Sequence, residues 1–461
     1  MFRYSLFALA VCLTTAPATS QTVDRPGEPL EFEKAPATDP AILSEKANRE
    51  PFGPPNGLPV YAGLPASTPA RRMAAPRSMP PEGKTLDRAA KVNPNQTPVF
   101  PGQTRAPVTR TDTRIEERVV VRGLVHPWAL AFLPDGKILV TEKSGALRVA
   151  SQAGELLAPV IGVPPVLYMG DAGLLGVAVD PDFGSNRWVY LSFIGFRPTG
   201  NALMVVRGRL SADYAKLEGL EQLLTMPTYH NSNHYGGGIV IGRDRKLYIG
   251  TSERIADDTM LAAQNPGSPM GKILRINLDG SIPADNPFAE VIGAEPRIWT
   301  MGNRDPEGLA NHPVSGKLWI SDHGPQGGDE INVVEAGRNY GWPLVAYGTH
   351  YTGKPVNGER TGFPGTEQPK YYWDPAIAPA GIAFYDGDLI PEWKGNLFVA
   401  ALAGRHLARL TLDGERVVGE ERLLLKNNQR VRDVEMGPDG ALWVVTDETE
   451  GRLIRIAPRG K

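Results

Sequence analysis

The stretch LAFLPDGKILVTEKSGALRVA, residues 130–150, contains the pattern that decides the fold. An apolar run leads into a turn with the letters PDG, and the run KILVTE follows it, rich in β-branched and apolar residues. Asp-Gly turns between such runs are typical of β-hairpins, and β-branched residues favour strands. Residues 130–150 therefore predict antiparallel strands joined by a tight turn.

The same pattern returns along the chain. The other copies are VAVDPDFGSNRWVYLSFI from residue 177, IVIGRDRKLYIGTSE from 239, LANHPVSGKLWISDHG from 309, IAFYDGDLIPEWKGNLFVAALAGRHLARL from 382 and VEMGPDGALWVVTDETEGRLIRIA from 434. Six copies over about 345 residues give roughly 57 residues per unit, a spacing typical of propeller blades with loop insertions. A two-sheet sandwich is the alternative, but a sandwich does not require one pattern to recur. The sequence predicts an all-β, six-bladed β-propeller over residues 113–461.

Two further segments bear on this architecture. RIEERVVVRGL, residues 114–124, precedes the first copy and can supply a strand to the last blade, which would close the ring. SADYAKLEGLEQLL, residues 211–224, has apolar spacing that indicates a short helix.

The N-terminal part has a different composition. Residues 1–20 begin with a short basic segment, continue with an apolar stretch of about ten residues and end in small residues suited to cleavage, as secretory signal peptides do. The single cysteine, Cys12, lies in this segment, so the mature chain would have no disulfide. Residues 21–112 are rich in Pro, Ala and Gly and predict a disordered linker, as a flexible spacer or as an arm that wraps the propeller. The leader predicts a periplasmic or secreted protein without a transmembrane span.

Composition excludes some functions. Of 461 residues, 22% are charged, and the formal net charge is −2. This balance gives no basic stripe for nucleic acid, so we expect no nucleic-acid partner.

Four loops between repeats carry unusual polar residues. Asp171 lies in YMGDAGLLG, and His234 lies in YHNSNHYGGG before three glycines. Arg304 lies in NRDPEGLANH, residues 303–312, which leads on to SDHGPQGGDEIN. Arg430 and Arg432 alternate in NNQRVRDV on one face of a predicted strand. A propeller gathers such loops at one end of its central channel, so we expect these side chains to meet there.

These residue types suggest a chemistry. A histidine next to small residues leaves room for a ligand and can act as a general base. Converging arginines bind a multiply anionic ligand through charge-assisted hydrogen bonds. A Gly-Pro step followed by Gly-Gly-Asp-Glu offers the oxygen ligands that Ca²⁺ takes. Each feature alone has a simpler explanation as a surface histidine, a solvated strand face or a capping pair, so the argument rests on their joint occurrence.

With these motifs the chain resembles the soluble pyrroloquinoline quinone (PQQ)-dependent aldose sugar dehydrogenase and glucose/sorbosone dehydrogenase family. The resemblance covers residues 115–458 and rests on HPWALAFLPDGKILVTEKSG, GLLGVAVDPDF, GKILRINLDGSIPADNPF, NRDPEGLA, SDHGPQGGDEINVVEAGRNYGWP and NNQRVRDV. It implies a quinoprotein: an oxidoreductase that oxidises an aldose, or a related polyol or aldehyde, at C1 to the lactone or acid. PQQ held by Ca²⁺ takes the hydride, and an external electron acceptor takes the electrons.

The resemblance also implies roles for single residues. His234 matches the catalytic base, and Arg304 matches the arginine that polarises the quinone oxygen. The cofactor-binding positions and the calcium positions are larger sets. The cofactor set is Asp171, Asp305, Glu307, Arg430 and Arg432. The calcium set is Gly324 and Pro325, whose carbonyl groups would hold the cofactor's ion, and Asp329, Glu330 and Tyr340 around a second, structural ion.

The chain departs from the family pattern at three of these positions and at two other places. Asp171, Asp305 and Glu307 replace residues that are usually Gln, Asn and Gln. GGG (236–238) replaces a common Gly-Gly-Arg, and Ala403 stands where a lysine is common, with Arg405 beside it. Added acids in a low-dielectric funnel oppose binding of a quinone with three carboxylates. Two alternatives therefore stay open: a binding or scaffold propeller without PQQ, and a calcium-dependent, lactonase-like hydrolase. The sequence does not specify the sugar, the acceptor or the oligomeric state.

Overall fold

The computed structural model describes residues 79–87, 89–256 and 259–460, and these form a ring of six antiparallel sheets. The prediction of an all-β, six-bladed propeller is confirmed. The strands, grouped by blade, are β2 (Pro127–Phe132), β3 (Ile138–Glu142) and β4 (Leu147–Ala150); β5 (Leu174–Val179), β6 (Trp188–Arg197), β7 (Gly200–Leu210) and β8 (Leu217–Thr225); β9 (Gly236–Ile241), β10 (Lys246–Thr251), β11 (Lys272–Asn277) and β12 (Ile298–Met301); β13 (Pro306–Asn311), β14 (Leu318–Asp322), β15 (Asp329–Val334) and β16 (Tyr371–Trp373); β17 (Pro379–Phe384), β18 (Leu397–Ala401), β19 (His406–Asp413) and β20 (Arg416–Leu423); and β21 (Val431–Met436), β22 (Leu442–Thr446) and β23 (Gly451–Pro458), which β1 (Ile115–Leu124) completes.

Helices are few and short in the described residues. The α-helix α1 spans Phe183–Asn186, and the 3₁₀ segments span Met260–Gln264, Asn357–Glu359, Pro391–Trp393 and Leu425–Asn427. None of these helices is long and apolar enough to cross a membrane. The helix predicted over residues 211–224 is wrong, because β8 occupies most of that range and pairs with β7. Its leucines have helical spacing, but pairing with the free edge of β7 outweighs that local preference.

The ring closes through its two ends. β1 pairs antiparallel with β23, from Ile115 opposite Pro458 to Leu124 opposite Gly451. This confirms the prediction that the segment before the first repeat completes the last blade. One sheet therefore contains both the beginning and the end of the propeller.

The second strand of each repeat lies in the hydrophobic core. All residues of β3, β14 and β22 are buried. This agrees with their sequences, which are largely continuous apolar runs rather than alternating patterns. Each blade has a neighbouring blade on both faces, so both faces of a central strand exclude water. The bulkiest core side chains include Trp319, Trp393 and Trp443, which fill the spaces between blades.

The innermost strands, β2, β5, β9, β13, β17 and β21, contact one another in that order around the axis. Glycines permit their close approach at three points. A Cβ atom on Gly238 would meet the carbonyl of Glu307, one on Gly308 would meet that of Ala380, and one on Gly381 would meet the carboxylate of Asp433. The inner ring is therefore tight, which brings the loops at its ends together.

Residues 79–87 and 89–112, from the predicted linker, pack on the propeller as an arm, which is one of the two forms expected for this segment. Thr104 forms a parallel bridge with Tyr372 of β16, and Val108 forms one with Glu420 of β20. The arm thus covers the outer edges of two adjacent blades, whose backbone groups would otherwise be unpaired. The predicted signal peptide, residues 1–20, and residues 21–78 of the predicted linker lie outside the described residues.

Candidate active site

The predicted site residues come from loops at one end of the inner ring. His234 lies two residues before β9, and Arg304 lies two residues before β13. β10 and β14 pair antiparallel with these strands, so their ends lie at the same side of the ring. Glu253 lies two residues after the end of β10, and His323 directly follows the end of β14. The term funnel is used below for the space bordered by Asp171, His234, Glu253, Arg304, Asp305, Glu307, His323 and Arg432.

His234 is held between carboxylates. Its backbone N–H donates to Oδ2 of Asp171 at 3.2 Å. Its Nδ1 lies 3.6 Å from Oε1 of Glu253 and 3.8 Å from Oδ2 of Asp305. Both distances are longer than a hydrogen bond, so Glu253 and Asp305 act on Nδ1 through their charge. Nε2 is the ring nitrogen away from these two acids and is the candidate to meet a substrate.

Electrostatics keep this histidine neutral. Burial lowers the pKa of His234 to about 4; the charge of Asp305 opposes this effect, and the guanidinium of Arg304 adds to it. Burial raises the pKa of Glu253 to about 7, against the opposing charge of Arg304. A neutral imidazole is the form that can accept a proton at neutral pH.

Arg304 is held at its backbone N–H by Asp322 and at its guanidinium by the loop after β14. The carboxylate of Asp322 accepts from the N–H of Arg304 at 3.0 Å and from that of Asp305 at 2.6 Å. Nη1 of Arg304 donates to the carbonyls of His323, at 2.9 Å, and Gly324, at 2.8 Å. The guanidinium also lies over the ring of Trp342, 5.2 Å from its centroid. Arg304 is therefore a preorganised cation.

Asp305 ties two inner-strand loops together. Its Oδ1 accepts from the N–H of Gly236 at 2.9 Å. Burial raises the pKa of Asp305; the charge of Glu307 adds to this effect, whereas His234, His323 and Arg304 oppose it.

Glu307, His323 and Arg432 form a contact chain in the funnel. Oε2 of Glu307 lies 3.5 Å from Nε2 of His323 and 3.0 Å from Nη1 of Arg432. The guanidinium of Arg432 is stacked over Trp128, 4.4 Å from the ring centroid. Burial acts to lower the pKa of His323, but the charges of Glu307, Asp305 and Asp329 outweigh it, so the pKa is raised.

The two predicted arginines of the last blade differ in exposure and in their partners. Arg430 is more exposed than Arg432, and its Nε donates to Oδ2 of Asp447 at 3.1 Å. Lys143, which sequence reasoning missed, supplies a further cation: its Nζ donates at 2.8 Å to the carbonyl of Gly170, next to Asp171. Burial lowers the pKa of Lys143, although Asp447 and other acids oppose this effect.

The predicted calcium positions have other partners. The carboxylate of Asp329 accepts from the N–H groups of Gly324, Ile377 and Ala378 at 2.6–2.8 Å. The carbonyl of Gly324 already accepts from Arg304, and Pro325 beside it is buried. Asp329 therefore joins the loop of Gly324 and Pro325, called the Gly-Pro loop below, to the residues just before β17.

Glu330 and Tyr340 do not meet. Burial first, and then the charge of Asp322, raise the pKa of Glu330 to about 8, and Oε2 of Glu330 accepts from Asn332 at 3.0 Å. The hydroxyl of Tyr340 donates to the carbonyl of Val333 at 2.6 Å, at the opposite end of β15. The structure therefore does not bring Tyr340 to the predicted second calcium site.

Buried polar atoms in the funnel lack hydrogen bonds within the described residues. They are Nδ1 of His234, Oε1 of Glu253, Nε of Arg304, Oε2 of Glu307 and Nε2 of His323. Buried polar groups are normally hydrogen-bonded, so a cluster of unsatisfied atoms indicates a place for a ligand. With a neutral histidine and fixed cations, the funnel can bind a polar or anionic ligand and remove a proton from it.

A recurring dipeptide could have revealed the missed residues. The pairs Thr-Glu (141–142) and Ser-Asp (321–322) end β3 and β14, and Ser-Glu (252–253) and Thr-Asp (446–447) lie just after the end of β10 and at the end of β22. A polar pair at or just after the end of the second strand in four blades places its members, or the residue that follows, near the funnel. Glu253, Asp322, His323 and Lys143 all fit this rule.

The described residues form a six-bladed propeller with a histidine and arginines at one end of its channel, and comparison with known proteins identifies the family. The family model described as Glucose / Sorbosone dehydrogenase matches residues 124–455. The chain belongs to this glucose/sorbosone dehydrogenase family.

Three relatives illustrate the likeness. The chain is 41% identical over 351 residues to Aldose sugar dehydrogenase YliI of Escherichia coli (strain K12), covering 75% of this chain and 93% of that protein. It is 31% identical over 418 residues to Quinoprotein glucose dehydrogenase B of Acinetobacter calcoaceticus, covering 73% and 86%. The structure of the PQQ-bound form of an aldose sugar dehydrogenase from Streptomyces coelicolor matches with a TM-score of 0.61 and 28% identity, covering 76% and 99%.

Proposed function

We propose that this protein is a PQQ-dependent dehydrogenase that oxidises an aldose at C1, with His234 as the general base. The observation that carries the proposal is the neutral imidazole of His234 beside the fixed guanidinium of Arg304. Its similarity to an aldose sugar dehydrogenase and to a quinoprotein glucose dehydrogenase supports the proposal.

Two features of the funnel suit an anionic quinone: its cationic side chains and its buried polar atoms without hydrogen bonds. Lys143, Arg304, Arg430 and Arg432 are the side chains that would bind three carboxylates. The carbonyls of Gly324 and Pro325 would hold the cofactor's Ca²⁺, with one lone pair of the Gly324 oxygen already used by Arg304. When bound, such a quinone supplies an electrophilic carbon that accepts a hydride.

The chain's own groups handle the proton and the charge. Nε2 of His234 accepts the proton of the C1 hydroxyl, and the acids at Nδ1, Glu253 and Asp305, stabilise the imidazolium that results. Arg304 stabilises negative charge on an oxygen bound in the funnel, because its guanidinium is already positioned and partly desolvated. Residues 1–20, as a signal peptide, would place this reaction outside the cytoplasm, where an external acceptor takes the electrons.

The experiment compares His234→Ala with the exposed control His230→Ala. Apo-protein is titrated with PQQ and Ca²⁺, and dye reduction is measured with a panel of aldoses. We expect His234→Ala to lose on the order of 10²–10⁴-fold in kcat while quinone binding persists. In the wild type, the acid limb of kcat/KM should lie near pH 4 rather than 6.5, because the lowered pKa keeps the base neutral as pH falls.

Two results would contradict the proposal. Unchanged turnover in His234→Ala would remove the histidine from the mechanism. A lack of calcium-dependent quinone binding at micromolar quinone would mean that the funnel binds another ligand instead.

One observation favours a second candidate. Ligand atoms of Asp305, Glu307 and His323 all lie within 4.8 Å of one another, as acids around a hydrolytic metal would. A metal-dependent, lactonase-like hydrolase would open sugar lactones without quinone or dye. The same preparations, assayed for lactone hydrolysis with and without chelator, separate the two activities.

A further inference from the structure

The funnel contains a compact group of metal-ligand types. Asp305, Glu307 and His323 each offer one ligand atom, and these atoms lie within 4.8 Å of one another. Asp305 and Glu307 flank the first residue of β13, and His323 directly follows β14, the strand that pairs with β13. Two adjacent strands of one blade therefore fix all three positions.

The two histidines of this cluster have buried nitrogens without hydrogen bonds. Nε2 of His323 has no hydrogen-bond partner within the described residues, and it lies 3.5 Å from Oε2 of Glu307, an oxygen that is ion-paired with Arg432 at 3.0 Å. From another blade, Nδ1 of His234 also has no hydrogen-bond partner within that part of the chain; it lies 3.8 Å from Oδ2 of Asp305, and its side chain is 9% exposed. Buried nitrogens without a hydrogen bond indicate a place for a ligand.

The local charge also favours a bound cation. The carboxylates of Asp171, Glu253, Asp305, Glu307 and Asp322 are connected through the contacts of His234, Arg304 and Arg432. Against these five acids stand three cations: the guanidinium groups of Arg304 and Arg432, and the ammonium of Lys143 beside Asp171. A divalent ion would offset this excess in a site where like charges are costly.

The ligand set points to a class of metal. Imidazole together with two carboxylates suits zinc and its first-row neighbours, whereas Ca²⁺ and Mg²⁺ prefer oxygen alone. Bonds of about 2.0–2.2 Å place ligand atoms roughly 3.4 Å apart around a tetrahedral ion. Since the ligand atoms lie within 4.8 Å of one another, binding requires the largest separation to shorten by at most about 1.4 Å.

We propose that Asp305, Glu307 and His323 form a binding site for a divalent first-row metal ion of the zinc class, distinct from the Gly324–Pro325 carbonyls. The ion would share Glu307 with Arg432 and would add positive charge to the funnel. The site does not depend on the proposed function, because the three ligands belong to the chain itself.

The test uses full-length, chelator-treated protein without quinone. Zn²⁺, Mn²⁺ and Ca²⁺ are titrated separately by calorimetry, and the melting temperature is followed with each ion. His323→Gln and Glu307→Gln remove single ligands at nearly constant volume. His230→Gln and Glu218→Gln are matched controls, because both residues are exposed.

We expect the wild type and both controls to bind one equivalent of Zn²⁺ and to melt at a higher temperature with it. Each ligand variant should lose at least tenfold in Zn²⁺ affinity while its metal-free melting temperature shows that it folds. Ca²⁺ should bind more weakly than Zn²⁺.

Three results would overturn the site. They are absence of stoichiometric Zn²⁺ binding, equal affinity in His323→Gln and wild type, and a preference for Ca²⁺ that His323→Gln leaves unchanged. Quinone binding and dye reduction are separate readouts, so failure here is distinguishable from failure of the proposed function.

Discussion

The backbone of His234 has φ of 52°, a conformation that residues other than glycine seldom adopt. The loop is held there by the carboxylate of Asp171 on the N–H of His234 and by that of Asp305 on the N–H of Gly236. Both acids therefore have a structural task here. Two carboxylates stabilise the strained backbone at His234.

Glu330 offers a prediction at the same scale. Its pKa is raised from 4.5 to about 8, so the folded state retains a proton that the unfolded state has lost. Stability therefore falls as pH rises from about 4.5 through 8. We expect Glu330→Gln to gain stability relative to wild type at pH 8.5 compared with pH 5, by up to roughly 1.4 kcal/mol per pH unit, measured by urea unfolding at both pH values.

The same variant tests the predicted calcium position. If Ca²⁺ bound Glu330, its addition would stabilise the wild type at pH 8.5, and Glu330→Gln would lose that gain. An equal response of both proteins to Ca²⁺ would leave Glu330 as a buried, protonated acid.

At the scale of elements, the inner strands depend on residues without side chains. Gly381 of β17 faces the carboxylate of Asp433, which accepts from the N–H of Leu130 at 2.8 Å. A methyl group at this position would displace that buried hydrogen bond. We expect Gly381→Ala to cost about 1–3 kcal/mol or more in the free energy of unfolding, measured by urea denaturation.

The control for this substitution is Gly184→Ala in α1. A Cβ atom there meets nothing within 4 Å, and the backbone is not left-handed. We expect a change within about 0.5 kcal/mol. Equal effects of the two substitutions would mean that the inner ring can relax, against the close packing described above.

At the scale of the whole molecule, the N-terminal arm is joined to the loops that border the funnel. The buried amide of Gln103 accepts from the hydroxyl of Tyr347 at 3.1 Å and donates to the carbonyl of Pro369 at 3.1 Å. The residues after Tyr347 lead to Thr349, which pairs with Gln326 beside the Gly-Pro loop. The arm therefore supports the site from outside the ring.

This contact gives a prediction. Gln103→Ala leaves buried groups unpaired and should cost about 1–3 kcal/mol of stability, measured by thermal and urea unfolding. Gln152→Ala is the control, because Gln152 donates to Gly136 on a surface turn, and we expect a much smaller loss. An unaffected Gln103→Ala protein would show that the arm is held by its other contacts.

Local pattern was enough to predict the blades. The strands β3, β10, β14 and β22 lie where KILVTE, KLYIGT, KLWIS and ALWVVT predict them, because apolar and β-branched runs with turn residues specify a hairpin locally. The helix predicted over residues 211–224 was wrong because its outcome depends on pairing with β7, which is not a local property of that segment.

The sequence by itself determined the six repeats and the loops that carry His234 and Arg304, since each depends on residues near one another in the chain. The strand character of residues 115–124 is also local, but its pairing with β23 joins opposite ends of the chain. Only the tertiary structure decided which side chains meet. It places Glu253 and His323 against the predicted residues, places Tyr340 at the far end of β15 and packs residues 79–87 and 89–112 on two blades. Burial and charge at the funnel arise when loops far apart in sequence converge at one end of the channel, and this convergence is a consequence of ring closure.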